Sequence, residues 1–153
     1  MRMIFAMEFG SVDAALLGLG VLATLLYFVV GLAVLAVGFV ALDVLTPGNL
    51  RQQVYTDRHP NAAILLGANH LALAIIVVTA IMTSDDALGQ GLVDSLVYGL
   101  LGVVLQGVAL RLLDAFVPGH LRALVTEPRM SGAAWAVGSS LLAIGAVNAA
   151  ALS

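Results

Sequence analysis

Cysteine and lysine are both absent from this chain of 153 residues. The absence of cysteine excludes disulfide bonds, thiolate catalysis and cysteine-ligated metals. All six basic residues are arginines, so a Schiff-base cofactor and a phosphate-binding P-loop lysine are excluded as well. The histidines show no H-x-x-x-H or H-E-x-x-H spacing, and we therefore expect neither a metal site nor a cofactor.

Charge is also scarce, because only 10% of the residues are charged whereas 61% are hydrophobic. A typical soluble domain is about 25% charged and roughly 45–50% apolar. The mean hydropathy of +1.09 therefore excludes a soluble enzyme and a disordered tail. The net charge of −3 argues against a nucleic-acid partner. The composition predicts a single integral membrane domain over residues 1–153, surrounded by the lipid bilayer.

Four apolar stretches are long enough to cross a hydrocarbon core of about 30 Å, which takes roughly 20 helical residues. They cover residues 14–42, 61–83, 95–113 and 132–152. Pro60 ahead of the second stretch and Ser131 ahead of the fourth are typical of helix starts. The sequence therefore predicts an all-α membrane protein with four transmembrane helices.

The arginines predict how the chain is oriented in the membrane. Five of them lie in or beside the links after the first and third spans: Arg51, Arg58, Arg111, Arg122 and Arg129. The amino-terminal tail has only Arg2, and the middle link at residues 84–94 has three aspartates and no basic residue. By the positive-inside rule the two arginine links are cytoplasmic, and both termini and the middle link lie outside.

A sequence repeat is the most specific feature of the chain. The motif D-x-x-x-P-G-x-L-R covers residues 43–51 and recurs at residues 114–122, an offset of 71 residues. Each copy carries two spans, at about residues 22–83 and 93–153, so both copies enter the bilayer with the same polarity. The sequence thus predicts two tandem parallel two-helix repeats, related by a pseudo-two-fold axis along the membrane normal.

The tandem Asp-x-x-x-Pro-Gly links, followed in the first copy by Asn61-Ala62-Ala63 and Gly67, resemble the bacterial domain of unknown function 350 (DUF350) family. The resemblance extends from about Leu25 to the end of the chain. It implies a small multi-pass protein of the bacterial cytoplasmic (inner) membrane, built from tandem two-helix units and in some members linked to envelope stress. The family has no established activity. Gly132 stands in the second copy where the first has Asn61, which suggests that the two halves are no longer equivalent.

Small residues line one face of each predicted span, a pattern that lets membrane helices approach closely. The residues assigned to helix packing are Gly31, Gly38, Ala63, Gly67, Gly102, Ala134 and Gly138. Polar side chains join these faces at His70, Gln106 and Asn148, which we expect to face protein rather than lipid. Two interpretations stay open for them: interhelical hydrogen bonds, or a polar path or small-ligand site.

The repeat equivalents of the polar residues qualify this picture. Among the three intramembrane groups only His70 has an ionisable side chain. Its repeat equivalent, Leu141, is apolar, so the sequence predicts no symmetric two-histidine metal site. Asn69 and Ser140 are equivalent in the repeat and occupy a second face. They indicate either an oligomer contact or a tolerated polar pair.

The two Pro-Gly links combine acidic and basic residues. Asp43 and Asp114 close the spans that precede the links, where the helix dipole already presents partial negative charge. Arg51 and Arg122 follow the turns, so the sequence predicts that each Asp–Arg pair folds its link back onto the membrane surface. The links are then either tied-down loops or a docking surface for a cytoplasmic protein or anionic lipid headgroups.

No catalytic pattern is present, because the sequence has no G-x-S-x-G, no glycine-rich nucleotide fingerprint and no paired carboxylates at membrane depth. We therefore do not expect an enzyme. The leading interpretation is an oligomeric small pore or transport protein. Four helices in one chain are too few to enclose a wide pathway, so this interpretation requires a homo-oligomer. The alternative is a non-catalytic membrane scaffold that docks a cytoplasmic partner or anionic lipid through the arginine links.

Overall fold

The computed structural model describes residues 13–46, 49–116 and 120–152, and all the regular secondary structure in these ranges is helical. Within them, five α-helices and one short π-helical segment follow in order: α1 at Ala14–Leu45, the π-helical segment at Gln52–Thr56, α2 at Pro60–Met82, α3 at Leu88–Phe116, α4 at His120–Thr126 and α5 at Gly132–Ala150. The helices α1, α2, α3 and α5 are each long and apolar enough to cross a bilayer. The prediction of an all-α protein with four transmembrane helices is confirmed.

Three helix starts follow from local hydrogen-bonding rules. Asp13 caps α1, because its Oδ1 accepts hydrogen bonds from the backbone N–H groups of Ala15 and Leu16 at 2.9 and 3.3 Å. Pro60 occupies the first position of α2, where a missing N–H costs nothing. Ser131 caps α5 as predicted from the sequence, and its Oγ accepts from the next-but-one backbone N–H at 3.2 Å.

The helix α3 begins earlier than the apolar pattern predicts. It starts at Leu88, whereas the apolar stretch starts at residue 95, because Asp94 is accommodated inside the helix. The side-chain amide of Gln90 donates to Asp94 Oδ1 at 2.7 Å, and a polar pair four residues apart supports a helical turn. The observed middle link, residues 83–87, is correspondingly shorter than the predicted one.

The helix α2 lies at the centre of the bundle and packs against α1, α3, α4 and α5, while α1 also packs along α3. Two apolar clusters fill the interior. One lies at the link end, which we define as the end where α1 and α3 finish and α2 and α5 begin, and it includes Leu50, Leu121 and Val125. The other lies farther along the bundle and includes Val34, Leu73 and Ile76. The short helical pieces after α1 and α3 are thus anchored by apolar side chains in the link-end cluster.

Glycines allow the closest helix contacts. At Gly145, a Cβ atom would stand 2.8 Å from the Cα of Ala72, so α5 touches α2 backbone to backbone. Gly138 also faces α2. Of the residues assigned to helix packing, five are buried in the bundle: Gly31, Gly38, Gly102, Ala134 and Gly138.

The other two assigned packing residues lie elsewhere. Ala63 and Gly67 are exposed on the outside of the bundle, and a Cβ at Gly67 would meet nothing within 4 Å. The assignment of these two residues to packing within the chain is therefore wrong. The physical reason is that α2 turns its larger side chains, including Leu65 and Leu73, toward its neighbours, and this rotation carries the Ala63 and Gly67 face outward.

Candidate functional site

Two buried amide side chains join α3 and α5 inside the bundle. Gln106 Nε2 donates to the backbone carbonyl of Leu141 at 3.1 Å, and Asn148 Nδ2 donates to the backbone carbonyl of Gly102 at 3.1 Å. One bond therefore runs from α3 to α5 and the other from α5 to α3. Within the described ranges, Gln106 Oε1 and Asn148 Oδ1 are buried without a hydrogen-bond partner. Each amide thus uses its donor and leaves its acceptor free.

His70 is half-buried between α2 and α1. Its Nδ1 lies 2.9 Å from the backbone carbonyl of Leu66, and because a carbonyl only accepts, Nδ1 carries the hydrogen. The imidazole ring packs against Phe39 with ring centroids 5.7 Å apart and an interplanar angle of 54°. His70 therefore closes a local bond on its own helix and makes an aromatic contact with α1.

Asn69 and Ser140, equivalent in the predicted repeat, have different surroundings. Asn69 is buried and, with Gln106, lines a cavity of about 10 Å³ between α1, α2 and α3, which is room for about one water molecule. Ser140 is half-buried, and its Oγ donates to the backbone carbonyl of Ala136 at 3.0 Å. Ser95, which was not singled out as a polar site in the sequence, is buried and bonds its own helix in the same way.

Five of these polar side chains thus bond backbone carbonyls of their own or a neighbouring helix: His70, Ser95, Gln106, Ser140 and Asn148. The bonds of Gln106 and Asn148 run between helices, as expected of side chains that hold membrane helices together, whereas the other three lie within one helix. The hydrogen bonds that join the links to the membrane helices, through the side chains of Asp43, Asp114 and Asn61, lie instead at the link end.

Asp43 and Asp114 make the same contact at the two links. Asp43 Oδ1 accepts from the backbone N–H of Leu50 at 2.8 Å, and Asp114 Oδ1 accepts from that of Leu121 at 2.7 Å. Each carboxylate thus reaches seven residues forward to the start of the next helical piece, where N–H groups lack a helical partner. The intervening Pro-Gly pairs, at residues 47–48 and 118–119, lie outside the described residues, and the tandem repeat itself stays a prediction.

The predicted Asp–Arg pairs are wrong. Arg51 and Arg122 are exposed, and in the ranges 13–46, 49–116 and 120–152 the single contact within ion-pair distance joins His120 Nδ1 to Asp114 Oδ1 at 3.9 Å. The physical reason is that a backbone N–H held near the carboxylate competes well with a long arginine side chain, which loses conformational entropy when it is fixed.

Asn61 joins the two links and was missed as a site residue. It is fully buried at the start of α2, and its Nδ2 lies 3.2, 3.3 and 2.9 Å from the backbone carbonyls of Leu124, Glu127 and Arg129. Its Oδ1 accepts from the backbone N–H of Ser131 at 2.9 Å. The available signal was the exchange of Asn61 for glycine in the second copy.

A second contact supports the same junction. His59 Nδ1 donates to the backbone carbonyl of Val125 at 3.1 Å, and Val125 directly follows Leu124, which is a partner of Asn61. The link after α1 is thereby bonded to the link after α3, and the two form one unit.

Four arginines project from this unit, and we call them the arginine surface: Arg51, Arg58, Arg122 and Arg129, all exposed. None of them lies within ion-pair distance of a carboxylate in the part of the chain that the structure describes. The exposed acids Asp57 and Glu127 share the same end. Beside Arg51 is a groove of about 470 Å³ lined by Asn49, Gln52, Tyr55 and Thr56, so an arginine, a tyrosine and uncharged polar groups surround one depression.

Across the described ranges, no group of three His, Cys, Asp or Glu side chains is placed to hold a metal ion.

Comparisons with known proteins agree with the membrane architecture. The model of a family described as Domain of Unknown Function (DUF350) matches residues 15–152. A "UPF0719 transmembrane protein" of Mycolicibacterium paratuberculosis is 50% identical over 151 residues, which are 99% of this chain and 100% of that protein. UPF0719 transmembrane proteins of Mycobacterium bovis and Mycobacterium tuberculosis are each 46% identical over 146 residues, covering 95% of this chain and 96% of theirs. No solved structure is significantly similar to the chain.

Proposed function

The chain belongs to the DUF350 family of membrane proteins, and for this member we propose a non-catalytic scaffold function in which the arginine surface docks an acidic segment of a cytoplasmic protein. The single observation that carries the proposal is the unpaired state of these arginines on a unit bonded together through Asn61. The excess of arginines at this end favours a cytoplasmic location for that unit under the positive-inside rule.

Rigidity and composition both favour a protein partner. Arginine and tyrosine are enriched in protein interfaces, and Tyr55 is 72% exposed beside Arg51. Because the arginines leave from two bonded links rather than from separate loops, less conformational freedom is lost when a partner binds. The guanidinium groups offer bidentate hydrogen bonds to carboxylates, which defines the partner segment as acidic.

The test is photo-crosslinking in cells with a photoreactive residue at Tyr55. We expect a crosslinked protein that disappears in the double variant Arg51→Glu, Arg122→Glu and remains in the double variant Arg51→Lys, Arg122→Lys, which keeps the charge. Because the chain has no cysteine, labelling of a single introduced cysteine checks that each variant keeps its orientation. An unchanged crosslink in the correctly inserted glutamate variant would refute the docking surface.

The oligomeric pore or transport function is a second candidate, and the outer face of α5 favours it. That face exposes small residues at helical spacing, among them Ala136, Ser139 and Ala143. The outer faces of α1 and α3 instead expose large apolar side chains such as Val29 and Val104. Small residues suit contact with another helix better than contact with lipid, so copies of the chain would meet at α5.

The second candidate has its own test. A cysteine introduced at Ser139 should form a disulfide between copies in the membrane, whereas one at Val29 should not. Ion flux in proteoliposomes then separates a pore from a passive oligomer. Flux equal to that of empty vesicles, from a protein that does crosslink at Ser139, would refute the pore.

A further inference from the structure

An apolar groove of about 650 Å³ lies between α1 and α3 on the outside of the bundle. Its walls are mostly branched side chains, including Val37 and Val44 of α1 and Val104 and Val108 of α3. The two helices approach closely near Gly99, where a Cβ atom would stand 3.1 Å from a methyl group of Val34. Nearer the link end the lining includes the small residues Ala41 and Gly107 between the larger side chains.

The length of the groove along the helix axis corresponds to the thickness of one bilayer leaflet. On α3 the lining runs from Val103 to Leu112, which at 1.5 Å per residue is about 13 Å along the helix axis. Half of a hydrocarbon core of about 30 Å is about 15 Å. The groove is therefore about as long as one leaflet of the hydrocarbon core is thick.

Arg111 is the charged residue in this apolar lining. It lies five residues before the end of α3, about 7.5 Å along the axis, and is exposed. No carboxylate of the described ranges pairs with it. The nearby carboxylates of Asp43 and Asp114 accept backbone N–H groups instead. A guanidinium at this depth is costly unless an anion or water meets it, and a phosphate is a good bidentate acceptor.

We propose that this groove binds one acyl chain of an anionic phospholipid, with the lipid phosphate hydrogen-bonded to Arg111. The apolar walls, the one-leaflet length and the unpaired cation at the headgroup end fit the two parts of such a molecule. A transmembrane helix is about 10–12 Å across with its side chains, which suits the narrow floor at Gly107 and Ala41 less well than one hydrocarbon chain. Lipid binding here is independent of the docking proposed for the arginine surface.

The test is a titration of the full, delipidated chain in detergent, with bound lipid counted by native mass spectrometry. We expect phosphatidylglycerol to bind more tightly than phosphatidylcholine. Arg111→Gln should weaken phosphatidylglycerol binding about tenfold, and Arg111→Lys should recover part of it because the cation remains. The matched control Arg122→Gln removes an exposed arginine at the same end without touching the groove, and should change binding less than twofold.

The acyl chain has separate controls. Ala41→Phe fills the floor of the groove and should weaken phosphatidylglycerol binding, whereas Val29→Phe, on the same helix outside the groove, should not. Glycerol phosphate, which has the anion without the chain, should not compete. Thermal unfolding of each variant without lipid establishes that it is folded.

Three results would overturn the proposal. Equal binding by Arg111→Gln and the unchanged chain would mean that lipid binds without this cation. A loss with Arg111→Gln but not with Ala41→Phe would mean a headgroup contact without a bound chain. The third result is a dimer that Ala41→Phe dissociates but that phosphatidylglycerol leaves intact. It would assign the groove to a second copy of the chain.

Discussion

Asn61 is the residue whose loss should disturb the link end most. In Asn61→Ala, three backbone carbonyls and the N–H of Ser131 lose their side-chain partner. The side-chain NH2 group of Asn61 has two hydrogens for three carbonyls, so about two donated bonds and one accepted bond are lost. At about 1 kcal/mol net per bond, the free energy of unfolding should fall by about 3 kcal/mol.

The assay uses Trp135, the single tryptophan, which lies one turn into α5 from the Ser131 contact. Its fluorescence is followed through a denaturing-detergent titration in mixed micelles. The matched control is Asn49→Ala, an asparagine at the same end that is exposed and accepts one hydrogen bond, from the backbone N–H of Gln52 at 3.0 Å. That variant should lose about 1 kcal/mol or less.

Two results would contradict this account of Asn61. The first is a loss for Asn61→Ala within about 0.5 kcal/mol of the loss for Asn49→Ala. The second is unchanged hydrogen exchange at the backbone N–H of Ser131, which donates to Asn61 Oδ1 and should exchange faster once that acceptor is gone.

Three further variants probe the interior by the same unfolding titration. Gly145→Ala should destabilise the bundle by about 1–3 kcal/mol, because the new Cβ meets the backbone of Ala72; a neutral result would show that α5 can move away freely. Gly67→Ala, at an exposed helical site with open space, should be neutral or stabilise by up to about 1 kcal/mol, and a clear loss would mean that a neighbour covers this face. Gln106→Leu removes the bond to Leu141 together with a buried unpaired acceptor, so the free energy of unfolding should change by no more than about 1 kcal/mol. A loss above about 3 kcal/mol would mean that the Gln106 acceptor has a partner.

The sequence predicts the four membrane helices well, because crossing a bilayer needs only a sufficient length of apolar residues. Helix caps such as Ser131 are also readable, since they depend on a few neighbouring groups. The extension of α3 back to Leu88 was not readable from hydropathy, because Asp94 is made tolerable by a partner on its own helix.

The rotation of each helix is harder to predict. A small-residue face such as that of Ala63 and Gly67 is compatible with a neighbour in the same chain, with another copy or with lipid, and periodicity alone does not choose among them. The choice is made by all the larger side chains of α2 at once, which no single stripe reveals.

The link contacts were missed because the charge of a side chain does not identify its hydrogen-bond partner. Opposite charges at Asp43 and Arg51 suggested an ion pair, whereas the fold brings a backbone N–H to the carboxylate. Asn61 was overlooked as a site for a related reason: its partners are backbone groups about 63–70 residues away in sequence, and backbone groups carry no residue-specific pattern.

The opposed amide bonds of Gln106 and Asn148 have a mechanical consequence. Because one bond runs from α3 to α5 and the other returns, sliding either helix along the other by one turn, about 5.4 Å, would break both at once. These two helices should therefore move as a single body. The helix α1 meets its neighbours largely through apolar side chains such as Val34, and contacts of that kind have no preferred direction. Any rearrangement of the bundle is expected to begin with α1 sliding across a fixed α3–α5 pair.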